Sequence, residues 1–354
     1  MRMSMMNFVR EDLRAAVAGS ATTVDVLRES CILVTGGTGF VGKWLAELVA
    51  FLNDEHGFNI RLLLLSRNPH TLDVDAPHLL CRKDISLVAK DVRSVMDIPE
   101  DVEWIIHAAG TPDNRIHASD PLRVMQVIAH GTGAVLEAAS RLPRLQRVLN
   151  ISSGLVYGPQ PLSVSNVAET VFSGINCASV QTIYAEANRF GESICAAYRN
   201  LQRLPIVTAR PFAFIGPYQH LDRPWAINNF IRDSLMGGPI RILGDGGTVR
   251  SYMYAADMAW WMLSILARGR SGTTYNVGSP SGITLKTLAE KILRITGDSQ
   301  PIHVNLSHDF SAKRSIFVPD VSLAEKAFGL GLTLDIDTAI RRTIHWHREF
   351  TTLK

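Results

Sequence analysis

Cysteine is scarce. There are four in 354 residues (Cys31, Cys81, Cys177 and Cys195), and none forms a C-x-x-C pair. That spacing excludes a thiolate metal site and a disulfide framework, and it points to reduced thiols in a cytoplasmic protein. An excess of one charge is also lacking. Lys and Arg number 36 against 33 Asp and Glu, a net +3 with no basic tail. Neither nucleic acid nor a membrane surface is therefore expected as a partner. Long apolar runs are missing too. The longest, Ala255–Ala267, contains Asp257 and falls short of the about 18 residues a span requires. The N-terminus carries Arg2, Arg10, Glu11, Asp12 and Arg14 without an apolar segment, unlike a signal peptide. What remains is a globular balance, 46% hydrophobic and 19% charged, which excludes disordered and fibrous classes.

From Cys31 onward, short apolar runs alternate with helical patterns. Strands are expected at Cys31–Thr35, Ile60–Leu65, Leu87–Lys90, Trp104–His107, Arg147–Ile151 and Ile206–Arg210. Helices are expected near Gly42–Asn53, Leu122–Arg141 and Ile183–Arg199. Unbroken apolar strands joined by helices predict an α/β fold, a Rossmann-like doubly wound parallel sheet. After Pro211 the pattern loosens into loops rich in Gly and Pro. The expected division is a helical arm at 1–30, a dinucleotide-binding domain at 31–211 and a smaller substrate-binding lobe at 212–354, partly interleaved with the sheet.

The first strand runs into Thr35-Gly36-Gly37-Thr38-Gly39-Phe40-Val41-Gly42. Gly36, Gly39 and Gly42 fall where a strand turns into a helix, the context that separates a pyrophosphate turn from an ordinary tight one. Backbone N–H groups of Thr38, Phe40 and Val41 belong to the same cradle. The second strand ends in Ser66-Arg67 rather than an acid, so a ribose 2′-phosphate, and hence NADP, is favoured over NAD. The alternative is that Arg67 is a solvated turn residue. Asp91 and Val92 after the third strand are candidates to face the adenine. Ala108, Ala109 and Gly110 after the fourth leave room for the cofactor, and Ile151, Pro211 and Phe212 complete the candidate contacts. His107 reads as a packed strand-end residue, Trp260, Trp261 and Trp346 as core, and Asp257 as a helix N-cap.

The ordered motifs Thr35–Gly42, Ile151-Ser152-Ser153-Gly154-Leu155-Val156-Tyr157-Gly158, Tyr184, Arg210-Pro211, Arg250-Ser251-Tyr252 and Tyr275-Asn276-Val277-Gly278 resemble the extended short-chain dehydrogenase/reductases. The likeness is to the NAD(P)-dependent nucleotide-sugar epimerase/dehydratase family, and it spans about residues 31–350. It implies Ser153 as the hydroxyl that holds the reacting oxygen and Tyr184 as acid/base. The family's Lys four residues after the Tyr is Asn188 here, which can bond a ribose hydroxyl but brings no charge. Arg189 projects about 100° away around the helix. Family 4,6-dehydratases carry Asp-Glu, and decarboxylases a Glu, where this chain has Gly154 and Leu155. C4 epimerisation or keto-sugar reduction is therefore expected, with a catalytically weakened cofactor- and nucleotide-binding relative as the alternative. The resemblance further implies a nucleotide-diphosphate sugar held by Arg250, with Asn229 and Arg314 as further candidates, and a homodimer. No metal ligand set is expected.

Overall fold

The computed structural model describes residues 2–305 and 315–351. Seven parallel strands form its central sheet. In chain order they are β1 (Cys31–Thr35), β2 (Arg61–Ser66), β3 (Ile85–Ala89), β4 (Trp104–His107), β5 (Arg147–Ile151), β6 (Ile206–Pro211) and β7 (Thr274–Val277). Their spatial order is 7-6-5-4-1-2-3, so the chain winds outward both ways from a switch between β1 and β4. Alternation along each strand feeds two cores. Ile32, Val34, Leu62 and Leu64 pack on one face; Cys31, Leu33, Leu63 and Ile105 pack on the other. All five β1 residues are buried, which explains why Cys31–Val34 are apolar without interruption.

The helices that matter for the site are α1 (Arg2–Val17), α2 (Phe40–His56), α3 (Asn114–Ser119), α4 (Gly131–Ala139), α5 (Ile183–Gln202), α6 (Ala226–Leu235), α7 (Ala255–Arg268) and α8 (Ile336–Phe350). The single helix expected over 122–141 is instead a short helix at Pro121–Met125, a π turn at Gln126–His130, and α4. Thr132 Oγ1 donates to the Ile128 carbonyl at 2.6 Å, a side-chain bond that competes with the backbone ladder there. Residues 274–277, for which no strand is expected from the sequence, form β7 on the sheet edge beside β6.

The N-terminal arm packs on α2 and α7 through Val9, Leu13 and Val17. Asp12 accepts from Tyr254 Oη at 2.6 Å and pairs with Arg342 of α8. Burial pushes the Asp12 carboxyl up to about 7. Asp257 does not cap α7. It sits inside the first turn, buried, and accepts from the Thr333 backbone N–H and Oγ1 at 3.0 and 2.7 Å. The carboxylate is spent on tying down the loop before α8. Trp260, Trp261 and Trp346 are buried core residues. Among the described residues, no helix is long and apolar enough to cross a membrane.

Candidate active site

At the carboxyl ends of β1 and β4 the backbone closes tightly. Gly36 has φ +69°, and a Cβ on it would lie 2.6 Å from the Ala108 carbonyl oxygen. A Cβ on Gly42 would collide with the Gly37 backbone. Both positions demand glycine. Helix α2 starts from Gly39, which has no side chain to cap it, so the first-turn N–H groups remain for an anion. Thr38 and Ser66 hydroxyls bond at 2.7 Å and join this turn to the end of β2. The turn fits the pyrophosphate of a dinucleotide.

The turn opens into a cavity of about 1560 Å³. Single-ligand pockets run to about 1,000 Å³, so there is room for two ligands. Gly36, Thr38, Gly39, Phe40, Val41, Ser66, Arg67, Val92, Ala108, Ala109, Gly110, Ile151, Ser153, Tyr184, Asn188, Pro211, Phe212 and Arg250 all border it. Three candidates do not meet it. Gly42 packs behind the turn against Gly37. Asp91 caps the turn Val92–Ser94 and pairs with Arg93, whose hydrogen bond holds it at about 2. Asn229 is half-buried in α6, away from the cavity wall. Arg314 lies outside the described residues. Asp120 is the one acid among the described lining residues, against Arg67, Lys90, Arg123, Arg223 and Arg250. Such an excess of cations suits a polyanionic ligand.

Ser153 and Tyr184 meet at the far wall. Ser153 follows β5 and caps the turn Gly154–Tyr157, its Oγ accepting from the Leu155 N–H at 3.1 Å. Tyr184 stands in the first turn of α5, half-buried. Burial raises its phenol above the usual 10, while the neighbouring Ser153 and Asn188 side chains pull the other way. Asn188 Nδ2 also donates to the Tyr184 carbonyl at 2.8 Å. Arg189 is spent elsewhere, on the carbonyls of Val156 (2.8 Å) and Ser173 (2.7 Å). The phenol is thus served by neutral partners.

His107 is a packing residue. Thr35 Oγ1 and Thr132 Oγ1 hold its two nitrogens at 2.8 and 3.1 Å, and burial lowers it to about 4. Two other contacts escaped the sequence reading. His117 of α3 stacks on Tyr184, ring centroids 4.5 Å apart and planes 13° from parallel, with its Nε2 donating to the Thr111 carbonyl at 2.7 Å. Glu192, two turns along α5 from Tyr184, accepts from Ser152 Oγ at 2.6 Å and from Arg210 at 2.9 and 2.6 Å. It locks the end of β5 to α5. The Arg210-Pro211 motif hinted at the second contact; no spacing signalled the first.

A family model described as the NAD dependent epimerase/dehydratase family matches residues 32–278. The chain is 24% identical over 319 residues to UDP-glucuronic acid decarboxylase 1 of Xenopus tropicalis, covering 90% of this chain and 72% of that protein. It is 27% identical over 300 residues to UDP-glucuronic acid decarboxylase 6 of Arabidopsis thaliana, covering 84% and 83%. Among solved structures, an epimerase of Methanothermobacter thermautotrophicus superposes with TM-score 0.79 at 21% identity, covering 94% and 96%. UDP-glucuronic acid 4-epimerase of Bacillus cereus, in complex with UDP-glucuronic acid and NAD, superposes with TM-score 0.77 at 22% identity, covering 90% and 99%.

Proposed function

The chain belongs to the NAD dependent epimerase/dehydratase family, and on that premise we propose that it epimerises or reduces a nucleotide-activated sugar at C4. The observation that carries this reading is that Tyr184 and Ser153 border the same cavity as the glycine turn, close enough for Ser153 to lower the Tyr184 phenol. Bound along that turn, the nicotinamide cofactor supplies hydride chemistry. Ser153 holds the C4 oxygen, and Tyr184 delivers or removes its proton. A phenol raised above 10 is protonated at neutral pH, which suits it to donate a proton to a forming alkoxide. Arg250 answers the substrate diphosphate with a guanidinium fork. Gly154 and Leu155 carry no proton, which argues against dehydration and against the decarboxylation named for the relatives.

NADP is favoured over NAD. Arg67 and Lys90 border the cavity beside Ser66, and the nearby acid, Asp91, is already neutralised by Arg93. A homodimer is supported by an exposed stripe on α5, Phe190, Ala197 and Leu201, beside exposed Leu122 and Met125. A cytoplasmic setting fits the four free cysteines. Residues 1–30 serve as a clasp, 31–211 as the cofactor domain and 212–354 as the substrate lobe.

The neutral surroundings of Tyr184 favour one second reading, a relative that binds cofactor and nucleotide without turnover. Assays of nucleotide sugars with either cofactor, on the native protein and on Asn188→Lys, separate the two. A healthy native rate that Asn188→Lys leaves flat or lower supports an enzyme adapted to Asn. A rate near zero that Asn188→Lys raises strongly supports the second reading.

A further inference from the structure

The wall beside Ser153 is apolar. An ideal Cβ on Gly154 would lie 2.7 Å from the Phe212 ring and 2.9 Å from the Phe317 ring. Those two rings stack with centroids 4.4 Å apart. The turn that carries Ser153 therefore leans on a pair of aromatic faces. Leu155, the next residue, borders the cavity and is 45% exposed. Gln160, a polar neighbour in this loop, has its amide spent. Its Nε2 donates to the Val164 and Ser165 carbonyls, and its Oε1 accepts from the Val318 N–H, all at 2.9 Å. Arg250 stands over Phe317 at 6.0 Å, with one of its nitrogens held by Val249 and Ser315.

We propose that the sugar is a 6-deoxyhexose whose methyl group rests on Leu155 and Phe317. The inference rests on Ser153 and Tyr184 holding the C4 oxygen. In a hexose the carbon on one side of C4 bears a hydroxyl, and the one on the other side bears C6. A C6 hydroxyl laid on the Leu155 and Phe317 side chains loses water and gains no hydrogen bond from either. A methyl group gains burial instead. Apolar pockets reject an added hydroxyl only within about two orders of magnitude, so a preference of about 10- to 100-fold in Kd is expected.

Calorimetry on Tyr184→Phe protein reads binding apart from turnover. The ligands are free UDP and dTDP and, for each base, the 6-deoxyglucose, glucose and glucuronate conjugates. Tightest binding of a 6-deoxyglucose conjugate, with the preference over glucose falling at least threefold in Leu155→Gln, supports the proposal. Glucose or glucuronate binding as tightly or more tightly overturns it while leaving the C4 chemistry standing. A 6-deoxy preference that Leu155→Gln does not alter removes the assigned wall. Failure of every nucleotide and conjugate to bind overturns both this proposal and the function from which it starts.

Discussion

The two ends of the cavity are built from different materials. The dinucleotide end is backbone: a glycine at positive φ, a second glycine packed on Gly37, and a helix start without a capping side chain. The end proposed for the sugar is side chains brought from separated segments, with Ser153 after β5, Tyr184 on α5, His117 on α3 and Phe317 far along the chain. A backbone cradle has almost no room to vary, because any Cβ collides. A side-chain wall can accept a neutral residue such as Asn188 and still stand. On the proposed function, one end fixes the class of cofactor, and the other sets which chemistry is carried out.

The strongest challenge to this contrast is Tyr184→Phe. Losing the proton carrier should cost about 10²- to 10⁴-fold in kcat while cofactor affinity stays within about twofold. If affinity collapses as well, the two ends are not separable. In the wild type, oxidation needs the phenolate. Its rate should rise about tenfold per pH unit toward the raised pKa of Tyr184, with reduction flat near neutrality. Next in size is Gly42→Ala, which drives a methyl into the Gly37 backbone. Cofactor affinity by fluorescence titration should fall about 100-fold, on a strain of about 3 kcal/mol. Arg67→Ala should be gentler, lowering the preference for NADPH over NADH about tenfold through one lost charge-assisted bond.

The smallest effect on the cavity belongs behind both ends, on α7. Burial lifts Asp257 to about 6, so the folded protein binds this proton more tightly than the unfolded chain does. Stability should therefore fall as pH rises from about 4 to about 6, by about 3 kcal/mol for this group. Asp257→Asn should flatten that portion of the thermal midpoint–pH curve and leave Kd for cofactor unchanged.

Strands β1, β4 and β5 were legible residue for residue, because strands buried on both faces must be apolar throughout. The glycine turn was legible for a related reason, since a backbone that excludes Cβ leaves one residue type. The helix over 122–141 was not, because the π turn depends on where Thr132 sends its hydroxyl. Asp257 misled because an acid near a helix start reads as a cap until a distant loop claims it. Lys90 and Asp91 are adjacent, yet the cavity receives the lysine while Arg93 takes the acid.

Local sequence thus determined the first six strands of the sheet and the glycine turn, since each rests on burial or sterics within a short segment, while the Ser153–Tyr184 pair followed from the family resemblance. Tertiary structure alone decided the β7 edge, the stacking of His117 on Tyr184 and the aromatic wall under Gly154. Those contacts join segments far apart in the chain, and no short-range pattern encodes which side chains long-range packing will bring together.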